Sequence, residues 1–169
     1  MKLTLWQRLD ILARQITPSF LALILVMLSM VPLHLPISAP AVPWVALMAV
    51  YYWSLHRPDV MPAIAVFTIG VFHDLLAGTA VGLSALILLL VRAVVVTQRR
   101  FFASRGFWLI WIFFAVAAAG AGLAKWLAGM ALAAQLLELN PVAFQTLLTV
   151  ALYPPVAAAF ARVQRAIAV

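Results

Sequence analysis

Residues 60–90 read VMPAIAVFTIGVFHDLLAGTAVGLSALILLL, an apolar stretch broken by one acid, Asp74, and by the glycines Gly70, Gly78 and Gly82. Each of Gly70, Asp74, Gly78 and Gly82 falls four residues from the next. A carboxylate at the centre of a membrane helix costs about 2.5–3.5 kcal/mol, and less near an interface. The folded protein therefore has a use for Asp74. Small residues four apart let helix backbones approach closely in lipid. Gly78-Thr79 is expected to turn the chain, so that the four residues line a tight hairpin. Two plainer readings stand beside this one: Gly70 as an ordinary packing glycine, and Asp74 as a carboxylate reaching the water of the outer headgroups.

Composition fixes the class around that stretch. Hydrophobic residues make up 67% of the 169, charged residues 9%, and the mean hydropathy is +1.16. A soluble domain carries about 25% charged residues, so too little polar surface exists here to coat a water-facing globule. Cysteine is absent, which removes disulfide, iron–sulfur and thiol chemistry. A net charge of +7 would suggest nucleic acid in a soluble protein. Here the arginines cluster at the ends of apolar runs, where they act as topology signals.

Six apolar runs follow one another: Pro18–Leu35, Ala41–Leu55, Pro58–Leu76, Ala80–Val96, Phe107–Met130 and Val142–Ala161. The second to fourth are shorter than the roughly 20 residues of a full span, and are expected to end in partly unwound or re-entrant turns. With the N-terminus cytoplasmic, six crossings put Lys2, Arg8, Arg14, Arg57, Arg99, Arg100, Arg105, Arg162 and Arg165 on one side. Arg92 is then close enough to that side to snorkel. Only Lys125 dissents, in the outer half of run five. The sequence thus predicts an all-α integral membrane protein of about six transmembrane helices, both termini cytoplasmic and the loops short. Its parts are a cytoplasmic leader (1–17), a six-helix membrane domain (18–162) and a basic cytoplasmic tail (163–169). Leu5, Leu9, Leu12 and Ile16 share one helical face, so the leader is either an interfacial amphipathic helix or a solvated basic segment. Run one resembles a secretory signal, but Pro40 follows its best cleavage point, which favours an uncleaved first helix.

No HExxH, GxSxG, phosphate loop, paired-carboxylate site or Cys/His cluster occurs. The acids are Asp10, Asp59, Asp74 and Glu138. His73 adjoins Asp74, but helix neighbours point about 100° apart, so catalysis, a metal and a cofactor are not expected. By depth, Asp74 lies about 24 Å out from Pro58 and Lys125 about 28 Å out from Gly106, at 1.5 Å per residue. They either pair or share water near the outer leaflet, or Lys125 snorkels alone to the headgroups.

The remaining features have local explanations. Tyr51, Tyr52 and Trp53 near the inner interface look like an aromatic belt, and Trp108, Trp111 and Trp126 read as belt residues of run five. Gly120 and Gly122 lie in a small-residue segment suited to close helix contact. Pro154-Pro155 is expected to kink run six, making either a groove for a partner or a bend that fits the bundle.

In order along the chain stand Tyr51-Tyr52-Trp53, Arg57-Pro58, Gly70-xxx-Asp74-Leu75, Gly78-xxx-Gly82 and, in the last span, Tyr153-Pro154 before a basic tail. That order and spacing resemble the rod shape-determining protein MreD family of bacterial inner-membrane proteins. The resemblance implies a multi-pass, non-enzymatic subunit of the cell-elongation machinery in the inner membrane. Its implied partners are MreC, the MreB filament system, a SEDS-type peptidoglycan polymerase with its class B transpeptidase, and membrane lipids, but no nucleic acid. The residues expected to serve structure and interaction are Tyr51, Tyr52, Pro58, Gly70, Asp74, Gly78, Gly82, Lys125, Tyr153 and Pro154. The family is also similar in architecture to the substrate-binding subunits of energy-coupling-factor vitamin transporters. That likeness supplies a second reading, a small-molecule-binding subunit. Such a pocket needs several convergent polar groups, and the outer half of this chain offers few.

Overall fold

The computed structural model describes residue 24 and residues 42–102, 105–134 and 138–167. Run one and the leader lie outside the described residues. The described residues form five α-helices and one short 3-10 turn, with no strand among them. They are α1 (Val45–His56), the 3-10 turn (Pro58–Val60), α2 (Ala63–Ala77), α3 (Leu83–Phe102), α4 (Phe107–Ala133) and α5 (Leu139–Ile167).

Helix α1 is the centre of the protein. Its sequence is apolar on every face, which is the signature of a helix enclosed on all sides, and Ala46 to Ser54 are all buried. Helices α2, α3 and α5 pack around it, and α4 lies against α3 and α5. At 12 residues, α1 is shorter than the roughly 20 of a full span. It stops at Arg57, because a residue before proline is driven out of the helical region. The 3-10 turn that follows returns the chain to start α2 after Pro62.

Two helices are long and apolar enough to cross a membrane, over Phe107–Leu132 and Leu139–Arg165. They expose large apolar side chains along their length, among them Val116 (65% exposed), Leu123, Leu127, Phe144 and Leu147 (69%). In water such faces would aggregate; in lipid they are the solvated surface. Helix α5 continues through Pro154-Pro155 and on to Ile167, so residues 163–167 extend the last helix.

Basic residues collect at one end of this bundle. Tyr52, near the end of α1, donates to Gln164 Oε1 near the end of α5 at 2.9 Å. The same end brings His56 beside Arg99, Arg100 and Arg105. Arg92 sits deeper and is half-buried. Its Nε donates to the Met61 carbonyl at 2.8 Å, so it ties α3 to the turn before α2.

Candidate functional site

The α2–α3 hairpin gathers the acid and the glycines of residues 70–82. Helix α2 ends where Gly78 adopts a left-handed conformation (φ 63°), with its N–H on the Asp74 carbonyl. Thr79 N–H adds a second bond to that carbonyl at 3.1 Å. Gly82 is also left-handed (φ 98°), a backbone that side chains with a Cβ rarely adopt. A Cβ at Gly78 or Gly82 would meet nothing within 4 Å, so both glycines serve the turn, not helix packing. Gly70 is the packing residue of the series. A Cβ there would stand 2.6 Å from the Ala85 nitrogen, and the α2 and α3 backbones touch at that point.

Asp74 is fully buried, so it does not reach headgroup water. Its carboxylate accepts Thr79 Oγ1–H at 3.0 Å, Gly82 N–H at 2.9 Å and Ser84 N–H at 3.0 Å. Gly82 and Ser84 open α3, and the first N–H groups of a helix have no partner within it. Asp74 therefore caps the next helix from the end of the previous one. Its oxygens also lie at the positive end of the α3 dipole. This use accounts for an acid inside an apolar bundle.

Lys125 approaches the same end from α4, near enough to interact coulombically with Asp74 and His73. The direct ion pair is not formed, since no ion pair joins Asp74 and Lys125 among the described residues. Instead Lys125 Nζ stands 4.8 Å from the Trp44 ring centroid. His73 faces the same ring at 5.9 Å. Trp44 in turn donates its backbone N–H to Thr149 Oγ1 at 2.9 Å, and Gln145 Nε2 reaches the Val42 carbonyl at 2.8 Å. Helix α5 thus fixes the entry of α1.

The tyrosines form a core rather than a belt. Tyr51 is buried, meets Phe114 (5.1 Å) and Tyr153 (5.7 Å) edge-on, and donates its hydroxyl to the Ile110 carbonyl at 3.0 Å. Phe114 and Tyr153 stack at 4.0 Å. Tyr52 and Trp53 are buried against Phe160. Pro154 has no N–H to give to the Val150 carbonyl one turn back. Trp111 fills that vacancy, its indole N–H donating to Val150 O at 3.0 Å. Trp111 is therefore a strut between α4 and α5, whereas Trp108, 72% exposed, keeps the surface position expected of it. Gly122 faces Thr146 and Val142 of α5 closely, while Gly120 opens on free space.

Of the residues singled out by sequence, Gly70, Asp74, Gly78 and Gly82 meet in one hairpin, and Tyr51 and Tyr153 meet in the core, with Pro154 half-buried beside Tyr153 in α5. Pro58 starts the turn near the basic end, away from both. Sequence reasoning missed Ser84 and Trp44. A helix-start signal at Gly82-Leu83-Ser84 was available for the first; nothing local marks the second.

A family model described as rod shape-determining protein MreD matches residues 10–163. The chain belongs to the MreD family. Comparison with curated proteins and with solved structures gives no match. MreD proteins are membrane proteins with a role in determining rod shape, and the two long apolar helices here accord with that.

Proposed function

We propose that this chain is a non-enzymatic scaffold subunit of the cell-elongation complex in the bacterial inner membrane, recruiting MreC. Through MreC it supports the MreB filament system, the SEDS-type polymerase and the class B transpeptidase. The observation that carries this reading is the family match over residues 10–163. The use of Asp74 supports it. The bundle's buried carboxylate is engaged by a hydroxyl and two backbone donors, as a structural cap is.

In this reading the chain crosses the bilayer six times, with both termini cytoplasmic. The leader (1–17) and tail (163–169) flank the membrane domain (18–162), and the basic end of the bundle faces the cytoplasm. The apolar faces of α4 and α5 are then open to lipid and to a partner's span, with packing and polar contacts as the drive for association. The test is co-purification of the tagged full chain with MreC from membranes. Retention by the wild type, and loss on placing bulky tryptophans at Val116 and Leu123, supports the scaffold. Failure to retain MreC, or thermal stabilisation of the purified chain by a vitamin, would overturn it.

A further inference from the structure

At the basic end, the last turns of α1 and α3 and the first turns of α4 border a half-open cavity of about 470 Å³. This lies within the roughly 300–1,000 Å³ range of small-ligand sites. Its walls carry His56, Arg99, Arg100 and Arg105, and its floor is Leu55, Phe102 and Ile110. Among the described residues no carboxylate forms an ion pair with these arginines. Arg105 is steadied by the Phe101 ring, 4.8 Å from its Cζ, and by its own N–H on the Phe102 carbonyl. Guanidinium groups present planar forks that match phosphate oxygens two at a time.

The apolar floor does not suit a small soluble anion, which would stay hydrated. Beside the cavity, Phe101, Phe107 and Trp108 are exposed, as aromatic side chains are where a bilayer meets water. A ligand with a phosphate head and a hydrocarbon body satisfies both the arginines and this rim. We infer that the cavity seats the phosphate of an acidic phospholipid, held by Arg99, Arg100 and Arg105, with the acyl chains along α3 and α4. This concerns lipid and stands apart from the scaffold role.

The full chain, in mixed phosphatidylcholine and phosphatidylglycerol, is examined by native mass spectrometry for lipid retained on release. One phosphatidylglycerol is expected to remain bound in preference to phosphatidylcholine. Arg99→Gln with Arg100→Gln should lower that retention on the order of fivefold for each arginine removed. Arg162→Gln with Arg165→Gln removes the same charge outside the cavity and should leave it unchanged. Equal loss in both pairs, or no preference for the acidic lipid, would overturn the site. Inorganic phosphate alone should not raise the unfolding temperature in detergent; if it matched phosphatidylglycerol, the lipid would be excluded as occupant. Should the glutamine pair fail to fold, Arg99→Lys with Arg100→Lys keeps the charge but loses the fork, and weaker retention is expected.

Discussion

The Asp74 carboxylate receives the backbone N–H of Ser84, ten residues further along the chain, at 3.0 Å. With Gly82 N–H on the same oxygen, Oδ2, and Thr79 Oγ1–H on Oδ1, this one side chain closes the α2–α3 hairpin and starts α3. Leaving a buried donor without its acceptor costs about 1–3 kcal/mol. Asp74→Ala should therefore lower the thermal unfolding temperature of the purified chain markedly. Asp74→Asn keeps one oxygen, which can still receive both N–H groups, and should lose less than the alanine variant. An alanine variant that unfolds at the wild-type temperature would show that the cap carries no weight.

The glycines separate by role in a way that substitution can read. Gly70→Ala drives a methyl into the Ala85 backbone, where two helices have no room to part without repacking. Overpacking of this kind costs about 1–3 kcal/mol. Gly120→Ala meets nothing and replaces a flexible helical residue, so it should stabilise by about 0.5–1 kcal/mol. Opposite shifts in unfolding temperature are the expected result. A like shift in both would mean that helix propensity, not contact, governs position 70.

Much of this was legible before any coordinates. Apolar runs two to six became α1 to α5, and the turn at Gly78-Thr79 lies where the glycine predicts it, because a left-handed residue has few alternatives. The roles of Gly78 and Gly82 were not legible: a four-residue spacing looks the same whether it lines a helix face or spans a turn. Tyr51 and Tyr52 were ambiguous for a related reason. A belt and a core both place aromatic rings near a helix end, and only the enclosure of α1 by its neighbours distinguishes them. Depth along each run placed Lys125 at the Asp74 end, but not its contact with Trp44, since depth carries no information about azimuth.

Trp111 and Pro154 supply a prediction about coupling. In the wild type, Trp111→Phe strands the Val150 carbonyl that Pro154 leaves free, at a cost of about 1 kcal/mol. In a Pro154→Ala background, residue 154 regains an N–H and can bond Val150 itself. The tryptophan change should then cost less, with an interaction free energy of about 0.5–1 kcal/mol between the two sites. A double-mutant cycle on unfolding in detergent measures it. Strict additivity would mean that the indole bond and the missing proline donor are unrelated.

A second cycle distinguishes the two partners available to Lys125. Its ammonium stands over Trp44, and a cation on an aromatic face contributes about 0.5–2 kcal/mol as it becomes desolvated. Lys125→Met and Trp44→Leu should therefore be coupled by an amount in that range. Lys125→Met and Asp74→Asn should be coupled less strongly, because the lysine meets the carboxylate only at coulombic range and gives it no hydrogen bond. If the coupling appeared in the Asp74 cycle and vanished from the Trp44 cycle, the lysine would belong to the carboxylate. The α4 contact with the hairpin would then be an ion pair.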